Sequence, residues 1–127
     1  MKLLKQLSCI ALCILFMNCV QDTHKKTISV SVDMTNESEH SKVGIRGNFP
    51  LSWEETTYLS DDNNDGVYEG EFEFYTATNS IEFKFVNQDN IFELNGQDNR
   101  VLEFEYQPET IVYKATFNNQ NANITKQ

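Results

Sequence analysis

The sequence predicts an all-β chain, and two observations on its middle part lead to this class. Apolar and polar residues alternate with period two in short runs between residues 28 and 117, and no window carries the period of an amphipathic helix. The runs follow one another at intervals of about 8 to 12 residues, as in β-sandwiches. We therefore expect an immunoglobulin-like antiparallel β-sandwich of about seven strands.

The individual strands are recognised by apolar residues of one parity, with polar residues on the other. Six runs follow in chain order: Ile28 to Met34, Val43 with Ile45, Tyr68 to Phe74, Ile81 to Phe85, Leu102 to Tyr106, and Ile111 to Phe117. If Tyr75 and Ser80 face each other across a hairpin, Glu71 lies opposite Lys84. Lys84 would then be a cross-strand charge partner, which is one interpretation of this residue.

The first eighteen residues have the composition of a bacterial lipoprotein export signal. Lys2 and Lys5 precede a short apolar run from Ile10 to Met17, and Cys19 follows. The run is far shorter than the roughly 20 residues of a membrane-spanning helix, so a permanent transmembrane anchor is the weaker interpretation. We expect a signal peptide at residues 1–18, lipidation at Cys19, and an exported protein anchored to the bacterial outer membrane or the cell surface.

The remaining chain is predicted to form one domain with two flexible flanks. Residues 19–26 would be a tether, 27–118 the sandwich, and 119–127 an amide-rich, flexible tail. The cysteines are at positions 9, 13 and 19, so a chain that begins at Cys19 has no intrachain disulfide. The net charge of −9 argues against nucleic acid, which is bound mainly through basic side chains.

Catalytic and cofactor motifs are missing from the sequence. Its two histidines, His24 and His40, lie in polar segments without a nucleophile in motif context, and there is no zinc spacing or phosphate loop. We therefore expect a protein that is not an enzyme and needs no cofactor.

The segment Asp61 to Gly66 has two interpretations. It ends in Asp-Gly, which favours a tight turn because glycine accepts a positive φ. It also places Asp, Asn, Asp and Gly at positions 1, 3, 5 and 6 of a calcium loop, although position 12 is Phe72 where such loops have glutamate. A plain turn is the simpler interpretation, with calcium as the alternative.

Trp53 is the only tryptophan, and Pro50 places it on a loop because proline does not fit a central strand. A flat ring with planar amides, carboxylates or an ammonium group nearby is what a sugar requires, since a sugar offers C–H groups on one face and hydroxyls at its edge. Downstream, residues 95 to 99 supply several such polar groups, although turns use the same residues. The alternative for Trp53 is a side chain that folds back into the core.

The order of these motifs resembles the starch-binding carbohydrate-binding modules of family 20. The resemblance extends over about residues 28 to 117 and rests on the segments Val43-Gly-Ile-Arg-Gly-Asn-Phe-Pro-Leu-Ser-Trp-Glu, Asp65-Gly-Val-Tyr-Glu, Ile81-Glu-Phe-Lys-Phe-Val, Phe92-Glu93 and Asn99-Arg100. It implies a non-catalytic sandwich that binds α-glucan.

The resemblance also implies which residues would touch the glucan. Trp53 and Phe92 would stack on it, Lys84 and Asn99 would hydrogen-bond its hydroxyls, and Glu93 would lie beside them. Phe92 stands where the family has tryptophan, and the run from Phe92 to Asn99 is longer than usual. A phenylalanine at this position can also point into the core.

Together these features predict a lipid-anchored module that binds starch-like or glycogen-like α-glucan and passes it to other glycan-uptake proteins. The membrane would be a second partner, through Cys19. Two alternatives stay open: a protein-interaction sandwich that has lost sugar binding, and a detached accessory domain of a hydrolase.

Overall fold

The computed structural model describes residues 1–2 and 19–127. Within these residues the chain folds into strands joined by turns and loops. The strands are β1 (His24–Asp33), β2 (Gly44–Gly47), β3 (Thr57–Tyr58), β4 (Val67–Thr76), β5 (Ser80–Asn87), β6 (Ile91–Phe92), β7 (Arg100–Glu103), β8 (Glu109–Thr116) and β9 (Ala122–Lys126).

The strands form two sheets. The first sheet has the order β4-β1-β8-β9, and the second has the order β3-β2-β5-β6, with β7 also paired to β5. The predicted all-β sandwich is therefore confirmed. β1 and β8 are parallel, while the other pairs are antiparallel. The strand number exceeds the expected seven because β3 and β6 have two residues each and β9 was not expected.

The core lies between the two sheets and follows the alternation of the sequence. In β1 every second residue from Lys26 is buried, and its neighbours are half-buried. The first sheet contributes aliphatic and aromatic side chains from β1, β4 and β8, and the second contributes those of β2, β5 and β7. The buried apolar residues include Ile28, Val30, Val32, Ile45, Phe74, Ile81, Phe83, Phe85, Leu102, Ile111 and Tyr113. All of them lie between residues 28 and 117.

The expected hairpin between β4 and β5 is wrong. β4 pairs with β1 along its whole length, and β5 pairs with β2, so the link after Thr76 crosses from one sheet to the other. Glu71 and Lys84 consequently belong to different sheets, and Lys84 faces Arg46. The alternation of a strand tells which side is buried, but not which strand is its neighbour.

The N-terminal boundary of the sandwich also differs from the prediction. The tether was expected to extend to Lys26, but β1 begins at His24, and Lys26 is buried. Its Nζ donates to Glu109 Oε2 at 2.6 Å and to the carbonyls of Glu105 and Gln107 at 2.8 and 2.6 Å. A charged side chain can occupy a buried strand position when all its donors are satisfied, as they are here.

The predicted flexible tail at 119–127 contains a strand. β9 pairs with β8 from Ala122 opposite Ala115 to Lys126 opposite Ile111. Because β9 lies at the edge of the sheet and is mostly exposed, it needs no alternating apolar residues, and the sequence pattern therefore did not indicate it.

The Asp61 to Gly66 segment is a turn between β3 and β4. Asp61 accepts hydrogen bonds from the backbone N–H groups of Asp65 and Gly66 at 3.1 and 3.0 Å, and Gly66 has a φ of +83°. These are the interactions of a plain turn. Over residues 1–2 and 19–127 there is no group of three or more His, Cys, Asp or Glu side chains arranged to hold a metal.

The export signal lies almost entirely outside the described residues, since residues 3–18 are not among them. Cys19 is described and exposed. In the described part of the chain, no helix has the length and hydropathy of a membrane-spanning segment.

Candidate functional site

The outer face of the second sheet brings several of the predicted site residues together. In antiparallel strands, residues directly opposite each other point to the same side of the sheet. Arg46 is opposite Lys84, and two residues further along, Val86 is opposite Phe92. Since Phe85 points into the core, Lys84 and Phe92 share the outer side with Arg46. We call this side the outer face.

Trp53 lies in the loop between β2 and β3, beside the outer face. Its indole Nε1 donates to Asn48 Oδ1 at 2.8 Å, and its side chain is half-buried. Gly47 N donates to Ser52 O at 3.2 Å, which closes the loop over a cis peptide bond between Phe49 and Pro50. Leu51, and not Trp53, packs against the core from this loop.

Arg46 connects the loop of Trp53 to the other side of the face. Its guanidinium donates to Thr56 Oγ1 at 2.8 Å, to Asp89 O at 2.9 Å and to Trp53 O at 3.4 Å. The same guanidinium carbon lies 5.4 Å from the ring centroid of Phe92, in a cation–π contact. One side chain therefore contacts both the ring of Phe92 and the backbone of Trp53.

Lys84 holds the turn that follows β6. Its Nζ donates to the carbonyls of Leu94 and Gln97, each at 3.0 Å. Gln97 N in turn donates to Leu94 O at 2.9 Å. Because an ammonium group has three N–H donors and Lys84 uses two of them within residues 19–127, one donor remains for a further acceptor.

The pairing of β5 with β7 ends with Phe83 opposite Arg100. If the same register is continued by one residue, Asn99 comes to lie opposite Lys84. It is half-buried, and its Nδ2 donates to Glu82 Oε2 at 3.4 Å. The amide thus lies beside the exposed carboxylate of Glu82, on the side of the sheet that carries Lys84.

Phe92 and Glu93 point to opposite sides of the chain. Phe92 is exposed, which rules out the core position that was its alternative. Glu93 is 0% exposed, and its two oxygens accept from Arg100 Nε and Nη2 at 2.6 and 2.9 Å. Glu93 was expected beside the ligand, but its carboxylate is used inside the protein; this corrects the predicted contact. A residue directly after an outward Phe92 has to face inward.

The buried pair connects three parts of the chain. Glu93 also accepts from the backbone N–H groups of Phe85 and Asn118 at 2.9 and 3.2 Å. Burial works to lower the pKa of Arg100, but the hydrogen bond and charge of Glu93 outweigh this effect and raise that pKa. Glu93 therefore fixes the backbone directly after Phe92.

The outer face carries charges of both signs, since Arg46 and Lys84 lie on it together with Glu82, which is two residues from Lys84 along β5. Arg46 and Lys84 lie opposite each other, and neither is among the ion pairs found in the described part of the chain. Asp89 lies at the edge of this face, where its backbone carbonyl accepts from Arg46. The hydroxyl of Tyr58, which donates to Asp89 at 2.7 Å, lowers the pKa of that carboxyl, so Asp89 is ionised at neutral pH.

Sequence reasoning missed Arg46, Tyr58 and Asp89. Arg46 had a usable signal, because Val43 and Ile45 point inward and their neighbour therefore points outward. Tyr58 and Asp89 had none, since they meet only through the pairing of β2 with both β3 and β5.

No protein-family model matches this chain, and no curated protein matches it. Among the solved structures that match is the solution structure of the CBM25-2 of beta/alpha-amylase from Paenibacillus polymyxa. It is 13% identical, with a TM-score of 0.43, and the match covers 82% of this chain and 94% of that chain. At this level the likeness assigns no residue of the outer face, and the resemblance to family 20 stays a prediction.

Proposed function

We propose that this protein is a non-catalytic module that is anchored through a lipid on Cys19 and binds α-glucan on its outer face. The observation that carries the proposal is the placement of Trp53, Lys84, Phe92 and Asn99. These four residues come from separate parts of the chain, and each lies on or beside one exposed side of the second sheet.

The chemistry of this side suits a sugar. Trp53 and Phe92 offer aromatic rings for the C–H face of a glucose unit, and Lys84, Arg46 and Asn99 offer N–H groups for its hydroxyls. Arg46 has five N–H donors and uses three of them within the protein, which leaves donors for a ligand.

The expected affinity is modest. Each aromatic contact contributes about 0.5–1.5 kcal/mol beyond area burial, and each net hydrogen bond about 1 kcal/mol. These contributions correspond to a Kd between about 10 μM and 1 mM. Such affinity is useful when many copies on a membrane face a repeating polymer.

The decisive experiment is electrophoresis of residues 20–127 in a native gel with and without amylopectin. We expect the wild type to be retarded by the polysaccharide and Trp53→Ala to migrate freely. Tyr75→Ala is a matched control, because Tyr75 is also an exposed aromatic residue but belongs to the first sheet. The proposal fails if the wild type is not retarded, or if Trp53→Ala is retarded as strongly as the wild type.

A protein-interaction module is the second candidate function, and the apolar exposure of the second sheet favours it. Tyr58, Phe92 and Val101 are large exposed hydrophobic residues on the outer face of this sheet, and clusters of such residues are typical of protein interfaces. This candidate predicts that cyclodextrin leaves the fluorescence of Trp53 unchanged and that a membrane pull-down recovers a partner protein.

The lipid anchor is tested separately from the sugar. Cells that express the full chain are labelled with radioactive palmitate, and Cys19→Ser is the control. We expect label in the wild type and none in the variant; label in both, or in neither, would contradict lipidation at this residue.

A further inference from the structure

One end of the sandwich collects the N-terminal entry of the chain and several loops. β1 begins there at His24, opposite the end of β4 at Thr76, and β5 begins at Ser80, opposite the end of β7 at Glu103. β8 begins at the same end, opposite the last residues of β9. We call this the entry end, formed by residues 19–25, 48–50, 75–79 and 103–109.

The entry end exposes three aromatic side chains. Phe49, Tyr75 and Tyr106 are 70%, 62% and 60% exposed. Phe49 lies edge-on to Phe74 with ring centroids 6.4 Å apart, and Tyr106 lies edge-on to His24 at 4.4 Å. The rings of Phe49 and Tyr106 are thus packed against neighbouring rings, and all three side chains remain mostly exposed.

The link between Cys19 and this end is short. Four residues, 20–23, separate Cys19 from His24, and even a fully extended chain of this length spans at most about 18 Å. If Cys19 carries lipid, the entry end stays within that distance of the bilayer surface. A contact that would be weak in free solution then becomes intramolecular.

We propose that the entry end rests on the lipid headgroups, with Phe49, Tyr75 and Tyr106 at the interface between water and acyl chains. The proposal depends on the lipid anchor proposed above. Tyrosine suits this position because its ring is apolar and its hydroxyl is polar. Within the described residues, the hydroxyls of Tyr75 and Tyr106 have no hydrogen-bond partner, so both are free to bond to headgroups.

The charges at this end select the kind of lipid. Lys25 is paired with Glu73 at 2.9 Å, while Lys26 and Lys126 are bound to Glu109 at 2.6 and 3.1 Å, so each cation at this end has an acidic partner. Glu103 and Glu105 are exposed there, and the chain has a net charge of −9. The surface therefore fits zwitterionic lipid, and anionic lipid would repel it.

This orientation places the Tyr58 side of the outer face away from the membrane, while Trp53, which bonds to Asn48, lies nearer to it. The strands would stand roughly upright on the bilayer, with the second sheet along one side. Tyr58 pairs with Gly44, which faces Val86, six residues along β5 from Ser80 at the entry end. At about 3.4 Å per residue, the far side of the outer face is about 20 Å from the entry end.

The test attaches the protein to vesicles chemically, so that it depends neither on lipidation in cells nor on sugar binding. Residues 19–127 contain the complete described core and one cysteine, Cys19, which is coupled to a maleimide lipid in phosphatidylcholine vesicles. Trp53→Phe removes the native tryptophan. Tyr106→Trp then reports from the entry end, and Tyr58→Trp, at a residue that is 56% exposed, reports from the outer face.

Lipids brominated near the carbonyl end of their acyl chains quench nearby tryptophan. We expect at least a twofold loss of Tyr106→Trp fluorescence in tethered protein, with a blue shift, and little change for Tyr58→Trp. We also expect weaker quenching when part of the phosphatidylcholine is replaced by phosphatidylglycerol. A variant with Phe49→Ser and Tyr75→Ser should reduce the quenching of Tyr106→Trp, provided that its circular dichroism matches that of the parent.

Other occupants of the entry end give different outcomes, and each would overturn the proposal. Equal quenching at both reporters would mean that the domain has no fixed orientation. No quenching at either would mean that the tether holds it away from the lipid. A third outcome is a blue shift of the Tyr106→Trp fluorescence without quenching by brominated lipid. If that shift increases with the number of protein molecules per vesicle, a second copy of the chain is the occupant.

Discussion

The guanidinium carbon of Arg46 lies 5.4 Å from the centre of the Phe92 ring, while the same side chain donates to the backbone carbonyl of Trp53. The two aromatic residues of the outer face are thus connected through one cation. This connection makes Arg46 a positioning residue for both sides of the proposed glucan site.

Replacing Arg46 with lysine should weaken glucan binding about fivefold to thirtyfold. Lysine keeps the charge but cannot reach Thr56, Trp53 and Asp89 at once, and the loss of one or two net hydrogen bonds costs about 1 kcal/mol each. The measurement is a cyclodextrin titration followed by the fluorescence of Trp53. Lys114→Gln, which removes an exposed cation from the first sheet, is the control and should bind as the wild type. Unchanged affinity in Arg46→Lys would remove Arg46 from the site.

Breaking the buried pair of Glu93 and Arg100 should strongly destabilise the fold. Glu93→Gln leaves a buried guanidinium without its counter-charge, and such losses cost about 3–5 kcal/mol. Urea denaturation, followed by circular dichroism, measures the change in the free energy of unfolding.

The exposed pair of Lys25 and Glu73 is the comparison for this variant. Glu73→Gln should change the free energy of unfolding only slightly, because water solvates both groups after the substitution. If Glu73→Gln and Glu93→Gln lowered the free energy of unfolding by similar amounts, burial would not determine how much an ion pair contributes to stability.

The ion pair at Glu109 predicts a dependence of stability on acid. Burial works to raise the pKa of Glu109, but hydrogen bonds from Lys26, Lys126 and the backbone of Glu105 outweigh it, so the pKa lies below the ordinary value of 4.5. A carboxyl group with a lowered pKa in the folded state stabilises the fold above its unfolded pKa. This contribution is lost as pH falls from about 4.5 through the lower folded pKa.

Glu109→Gln tests this dependence. The variant should be less stable than the wild type at pH 7, because Lys26 loses its buried partner. The difference in the free energy of unfolding should shrink as the pH is lowered from 6 to 3. A difference that stays constant over this range would contradict the assignment.

Removal of β9 should destabilise the sandwich, although its sequence resembles a flexible tail. Truncation after Asn119 eliminates five cross-strand pairs with β8, each of which contributes about 0.2–1 kcal/mol. We therefore expect a loss of about 1–5 kcal/mol, measured by thermal unfolding. Lys126→Met keeps the strand but removes the ammonium bound to Glu109 and Glu103 O, and should cost less. An unchanged melting temperature after truncation would mean that β9 does not form in solution.

The sequence was sufficient for the fold class but not for the neighbours of each strand. Alternation identified which side of β1, β2, β5 and β8 is buried, because the buried positions carry apolar residues and the exposed positions carry polar ones. It did not reveal that β4 joins β1, since both possible partners would bury the same phenylalanines. Strand β9 was missed because an exposed edge strand has no apolar pattern.

The same limit applies to the site. Lys84, Phe92 and Asn99 were named through the order of motifs that resembles family 20, while the outward direction of Phe92 stayed open until its exposure was known. Glu93 was misplaced because the motif was considered without its parity: once Phe92 points outward, Glu93 cannot. Asp89 could not be found, since its contact with Tyr58 depends on how β3 and the turn after β5 meet.

The parallel pairing of β1 with β8 has a consequence for how the chain acquires its structure. Lys26 and Glu109, which form the buried pair at one end of this ladder, are 83 positions apart. The central strand β1 therefore cannot complete its pairing until β8, the second-last strand of the chain, is present. Contacts of such high sequence separation make folding slow, so an N-terminal part of the chain stays incompletely folded until nearly all of it has emerged from the machinery that makes or transports it.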